Sequence, residues 1–308
     1  MAFRIEQWEY KGTQLLVTIY QDRANTLQVK MGKYTKVVTE QFQTINIAPY
    51  LRERLNIEQP IISGKYTDYD AAVPVEVTIN GELIESGSSY TLGEYAGNPQ
   101  CASDLPYRVI AQGQTDAITL LVEASYSAVL ETDSKLVDDF RNLSDLGSLY
   151  AFKVQPKPTE QLYVSLILDD EDTSYKQHIP YIFRPMGLNG KRIAWLNRYG
   201  AVDFWNFDYL REQSFGATAE TIYTHNGYKK IARTAEKVFV METREATREA
   251  IDALSFIIAS PAVWIVNDDL TGNPTFEEVD VITEECKVFD SQELIGLQIA
   301  YRPKQRVL

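Results

Sequence analysis

Cysteine and histidine are scarce: the 308 residues hold only Cys101, Cys286, His178 and His225. One cysteine pair cannot build a disulfide framework. Two histidines leave little room for a His-rich metal site. No run of about 18 apolar residues occurs, so no helical membrane span is expected. Met1-Ala2-Phe3-Arg4-Ile5-Glu6 lacks a basic stretch leading into an apolar core, so no secretory signal is expected. Basic residues are also few, 30 Lys+Arg against 43 Asp+Glu, for a net charge of −13. Residues 1–150 carry −8 of it and residues 151–308 carry −5, so the acidity is not a tail. Duplex DNA carries a negative charge every ~1.7 Å, and its binders show a basic patch. None of that size is present. Sequence-specific nucleic-acid binding and attachment to an anionic membrane are therefore not expected.

Catalytic and cofactor motifs are missing as well. A phosphate loop needs a Gly, four residues, then Gly-Lys-Ser/Thr. Here Gly32-Lys33 and Gly64-Lys65 are each followed by Tyr. Gly187-Leu188-Asn189-Gly190 reads as a turn, not a dinucleotide fingerprint. No Gly-x-Ser-x-Gly elbow, His-Glu-x-x-His or Cys-x-x-Cys occurs. Asp169-Asp170-Glu171-Asp172 lacks the alternating ligands and central Gly of a calcium loop, and reads as a solvated acidic loop. Cys101 could meet either histidine in space, but a loop thiol with structural histidines is the simpler reading. No cofactor, no metal and no enzymatic activity are expected.

What the chain does have is strand signal. Tyrosine is abundant, 19 against 12 Phe and 4 Trp, and suits half-buried strand faces and interfaces. Val73, Val75, Val77 and Ile79 alternate with polar residues, the pattern of a half-buried strand. Asn80-Gly81 then reads as a tight hairpin turn, and Pro74 places its segment at an edge or at the strand's start. Further strands are expected at 15–20, 37–47, 117–130, 162–168, 179–183, 192–196, 202–207, 263–266, 279–282 and 294–301. Such a density of short strands implies sandwiches or barrels. Two short helices are expected. One covers 49–55. The other covers about 244–259, with Ala246, Ala250, Leu254 and Ile258 on one stripe. Thr243 is its expected N-cap and Ser260-Pro261 its stop. Gln155-Pro156-Lys157-Pro158-Thr159 reads as a linker. The fold expected is thus mainly β, with two β-sandwich or barrel-like domains, 1–155 and 156–308.

Two clusters stand out. Trp195 with Phe204, Trp205 and Phe207 could form a sugar platform, but large aromatics on adjoining strands more often pack a core, and Trp195, Trp205 and Trp264 are expected to organise it. Residues 276–293 hold seven acids against Lys287, while the tail holds Arg302, Lys304 and Arg306. Two solvated surfaces are the simpler reading; the sharper one has Glu277, Glu278, Asp280, Glu284 and Glu285 facing the basic tail of a neighbouring subunit.

Several segments together resemble a family. Arg192-Ile193-Ala194-Trp195-Leu196-Asn197-Arg198-Tyr199-Gly200 resembles a Trp-Leu-Asn-x-x-Gly hairpin. That hairpin recurs in tail and virion structural proteins of tailed phages of Bacteroides-type bacteria, including crAss-like phages. Ile45-Asn46-Ile47-Ala48-Pro49-Tyr50-Leu51-Arg52 resembles their strand-to-helix step. Ile257-Ile258-Ala259-Ser260-Pro261-Ala262-Val263-Trp264 is similar to their helix-Ser-Pro-x-Val-aromatic step, and Ile299-Ala300-Tyr301-Arg302 to their closing segment. The resemblance implies a structural subunit of a tail, baseplate or head-to-tail connector. Such a subunit is made in the host cytoplasm and incorporated into the virion. It forms a closed homo-oligomeric ring around a DNA passage, beside neighbouring phage tail or connector proteins. The resemblance carries over no catalytic residues. A glycan-binding module and a polysaccharide-degrading enzyme are the alternatives, the first motivated by the aromatics and the second by abundant carboxylates.

Overall fold

A computed structural model describes residues 4–11, 14–20, 25–31, 34–40, 44–46, 60–70, 72–79, 81–91, 101–122, 126–133, 135–143, 148–168, 173–186, 189–267, 273–283, 287–291 and 294–304. The fold is mainly β, as expected. In chain order the strands are β1 (Arg4–Lys11), β2 (Gln14–Tyr20), β3 (Asn25–Met31), β4 (Tyr34–Glu40), β5 (Thr44–Asn46), β6 (Gly64–Asp70), β7 (Ala72–Ile79) and β8 (Glu82–Thr91). Then come β9 (Arg108–Ile110), β10 (Asp116–Val122), β11 (Tyr126–Thr132), β12 (Leu136–Arg141), β13 (Ser148–Val154), β14 (Leu162–Leu168), β15 (Thr173–Ile179) and β16 (Tyr181–Phe183). The chain closes with β17 (Lys191–Leu196), β18 (Val202–Phe207), β19 (Tyr209–Thr224), β20 (Gly227–Ala246), helix α1 (Arg248–Ser255), β21 (Val263–Asn267), β22 (Thr275–Val281), β23 (Lys287–Ser291) and β24 (Leu294–Pro303).

The first strands form the sheets β1-β2-β5 and β4-β3-β7-β8. The hairpin expected at Asn80-Gly81 joins β7 to β8, with Gly81 at φ +84. Pro74 lies before the stretch of β7 that pairs with β3, where its missing N–H costs no ladder bond on that side.

A sandwich follows. The sheets β10-β13-β6 and β12-β11-β14-β15 share one apolar core, with Ile118, Leu120 and Phe152 from one and Leu130, Val164 and Leu166 from the other. The segment expected as one strand over 117–130 is two strands, β10 and β11, each committed to a different sheet. Strands from both sides of residue 155 pair here, since β11 hydrogen-bonds β14. The Pro-rich 155–159 stretch is the short connection between β13 and β14.

The C-terminal part is an eight-stranded sheet, ordered β18-β17-β21-β22-β24-β20-β19, with β23 also on β24. Helix α1 packs its Ala250, Ile251 and Leu254 on one face of it. Trp195, Trp205 and Trp264 are fully buried, as expected of core organisers. Phe204 and Phe207 are buried with them, so this cluster offers no face to a sugar.

The helix is shorter than the 244–259 expected. Thr243 is not its cap. That residue pairs with Leu297 in β24, and its hydroxyl accepts a hydrogen bond from Trp205 Nε1 (3.0 Å). The N-cap is Thr247, whose Oγ1 accepts from the Ala250 N–H. After Ser255 the chain continues in i→i+3 turns to Ser260, where Pro261 ends it. The helix expected at 49–55 lies outside the described residues. Among the described residues, no helix is long and apolar enough to cross a membrane.

Candidate functional site

The charged residues expected to join neighbouring subunits sit on β22 and at the end of β24. These strands are antiparallel neighbours within one chain, with Asp280 opposite Arg302. Arg302 Nε lies 3.4 Å from Asp280 Oδ2, and Lys304 Nζ pairs with Glu278. The complementarity visible in the sequence is thus used inside the subunit by these two pairs. Glu277 is exposed on β22. Burial, aided by the Glu277 charge, pushes the Tyr301 phenol up to about 12. Glu284, Glu285 and Arg306 lie outside the described residues.

A second charged group escaped sequence reasoning. Arg108, Asp116, Arg192 and Asp203 are buried together where β9 and β10 meet β17 and β18. Arg108 bridges Asp116 (3.3 Å) and Asp203 (3.2 Å), and Arg192 reaches Asp116 at 3.4 Å. Tyr181 donates to Asp116 Oδ2 at 2.9 Å. Burial pushes the Asp203 carboxyl up, against the pull of Arg108. Burial would lower Arg108, but Asp116 and Asp203 outweigh it, so the guanidinium stays charged. A buried charge is tolerated only when paired. The available signal was a charge inside an apolar strand, such as Asp203 between Val202 and Phe204. The two carboxylates are closed to any polymeric substrate, and the group acts as a joint between sheets.

The same joint holds the Asn-x-x-Gly hairpin. Asn197 Oδ1 accepts from the N–H groups of Tyr199 (2.9 Å) and Ala201 (3.1 Å). Its Nδ2 donates to Ala102 O (2.7 Å) and Asp203 Oδ2 (2.8 Å). Gly200 takes φ +77 to complete the turn between β17 and β18. Ser260 Oγ donates to Leu196 O at 2.8 Å, fastening the exit of the helical turns to the hairpin. Beside it a cavity of about 160 Å³ is lined by Cys101, Tyr107, Arg108 and His178. Burial pushes the Cys101 thiol up to about 11, which favours its protonated form. His225 is far along the chain, at the turn between β19 and β20.

The most extended feature is the β19–β20 hairpin, strands of 16 and 20 residues. Only Phe239 to Ala246 of β20 pairs with β24. Beyond that, residues 214–238 form a two-stranded ribbon, hydrogen-bonded only to itself among the described residues. At ~3.3 Å per residue the ribbon reaches about 35 Å. Its exposed side chains include Phe215 (75%), Tyr223 (76%) and Tyr228 (81%). Tyr223 and Tyr228 face each other across the strands, ring centroids 5.2 Å apart. Gly227, at φ +98, closes the tip.

The base of the ribbon is clamped by Glu242. Arg211 of β19, Arg244 of β20 and Gln298 of β24 all donate to its carboxylate. Burial would raise this acid, but hydrogen bonds from Arg244, Gln298 and Arg211 prevail and hold it down to about 2. Asp208 Oδ2 accepts from the Arg244 N–H at 2.9 Å, where β20 bulges with Glu245 at φ 55. The arrangement therefore consists of a packed sheet, a clamped base and a two-stranded ribbon with an aromatic tip.

No protein-family model and no curated protein matches the chain.

Proposed function

We propose that this chain is a structural subunit of a phage tail, baseplate or head-to-tail connector, built to assemble into a closed ring around a DNA passage. The observation that carries this reading is the 214–238 ribbon. A two-stranded ribbon alone in water is marginally stable, and large exposed aromatics on it are characteristic of contact surfaces. The resemblance of the Asn197 hairpin and the Ser260-Pro261 step to virion proteins points the same way. The net charge of −13 suits a passage wall to which DNA does not adhere.

Negative-stain imaging of the purified protein, with mass photometry on the same sample, tests the reading. Closed rings with one dominant symmetry are the expected result. A monomer at every concentration would count against a self-assembling ring.

A second reading draws on Tyr223 and Tyr228, since exposed tyrosines at the tip of an appendage also suit a glycan-binding module. Glycan-array binding by monomeric protein, lost in Y223S/Y228S, would favour it.

A further inference from the structure

The ribbon carries a charge opposite to the rest of the molecule. Residues 215–237 hold Lys229, Lys230, Arg233 and Lys237 against Glu220 and Glu236, net +2, while the remaining residues carry −15. All four cations lie on β20, which before Phe239 pairs only with β19, so the other row of its backbone N–H and C=O groups there has no strand partner among the described residues. The fold offers a matching surface. Strand β12 ends the sheet β12-β11-β14-β15 and is likewise open on one side among the described residues. It exposes Leu136 and Val137, and Leu143 follows it at 86% exposure. Its centre carries Asp138 and Asp139, the latter exposed, between the exposed Lys135 and Arg141. An open, partly apolar edge strand is a liability that a protein normally covers. Here one copy holds both halves of a complementary contact: a ribbon of net positive charge with an aromatic tip, and an open, partly apolar edge with two adjacent acids at its centre.

We propose that the 214–238 ribbon of one copy docks along the β12 edge of a second copy, by strand addition. The contact is heterologous, because the donated and accepting surfaces differ. Repeated around an axis it closes a ring. The inference rests on the ring-subunit reading above and names the surfaces that would make it. A glycan or an unrelated protein on the ribbon is the competing occupant.

Charge exchange on the full chain tests it, read by sedimentation equilibrium and mass photometry. K229E/K230E and D138K/D139K should each weaken self-association roughly tenfold or more. Combining all four substitutions should restore it to within about threefold of the wild type. Rising salt should weaken the wild-type contact. Carbodiimide treatment of wild-type oligomers, followed by mass spectrometry, should join ribbon lysines to Asp138 or Asp139 between copies. Oligomers indifferent to both charge pairs, with no such cross-link, would overturn the docking while leaving the ring reading intact. Wild-type protein that never self-associates would overturn both. Glycan binding lost on altering the ribbon of such a monomer would assign the ribbon to that ligand instead.

Discussion

Arg108 shows what a single residue does in this fold. It lies between two buried carboxylates, Asp116 and Asp203, which come from different sheets. Breaking a buried pair leaves an uncompensated charge, so Arg108→Met should cost about 3–5 kcal/mol, read by chemical denaturation. The exposed pairs behave differently. Arg302→Ala or Lys304→Ala removes a partner from a half-exposed pair and should cost at most about 1 kcal/mol. Glu242 supplies a pH dependence. Its carboxyl lies at about 2 in the folded chain against an ordinary 4.5. Its contribution is therefore complete above pH 4.5 and is lost as pH falls from there to about 2. The stability gap between wild type and E242Q should narrow over that window and close near its lower end, as denaturant melts at successive pH values would show. Of these residues, only the terminal charges attracted attention in the sequence, and for a contact between subunits. Opposite charges announce that they will pair, but not whether the partner belongs to the same chain.

At the scale of elements, the β19–β20 ribbon contrasts with the β17–β18 hairpin. The second was legible in the sequence. Its strands are apolar, and Asn197 and Gly200 mark a turn whose hydrogen bonds the structure contains. The ribbon was not. Asn226-Gly227 is the same turn signal that was read at Asn80-Gly81, yet the run that follows it, Tyr228-Lys229-Lys230-Ile231-Ala232-Arg233-Thr234-Ala235, does not alternate. A ribbon that leaves the body and pairs only with itself has no packed core face to impose a period of two. Helix α1 was found, but its start was placed four residues early, because Ala246 continues the apolar stripe while belonging to β20. Amide exchange on monomeric protein should be fast in the 214–238 ribbon and slow in β17 and β18, and the ribbon should become protected on assembly. Uniform protection in the monomer would mean that the ribbon is already covered within the chain. Gly227→Ala, forcing a side chain to φ +98, should destabilise the tip by about 1 kcal/mol and raise exchange there first.

For the whole molecule, the body and the ribbon have separable tasks. The body has two apolar cores, one inside the sandwich and one between α1 and the large sheet. Neither contains the ribbon beyond Phe239. Replacing 214–238 with a short Asn-Gly turn should leave the thermal transition of the monomer within a few degrees of the wild type and abolish self-association, measured by calorimetry and mass photometry. A large loss of stability would show that the ribbon belongs to the fold and not to assembly.

Strand content, the buried tryptophans and the Asn197 turn could all be read from the sequence because each is written in a few neighbouring residues. Alternation and bulk locate a strand. An Asn-x-x-Gly step supplies its own hydrogen bonds. Long-range pairing left no such local trace. That β11 joins β14 across the Pro-rich 155–159 stretch, that Arg108 meets Asp203 95 positions later, and that Asp280 faces Arg302 within one subunit depend on which strands become neighbours. That choice is made when distant apolar faces are buried against one another, and it belongs to the chain as a whole.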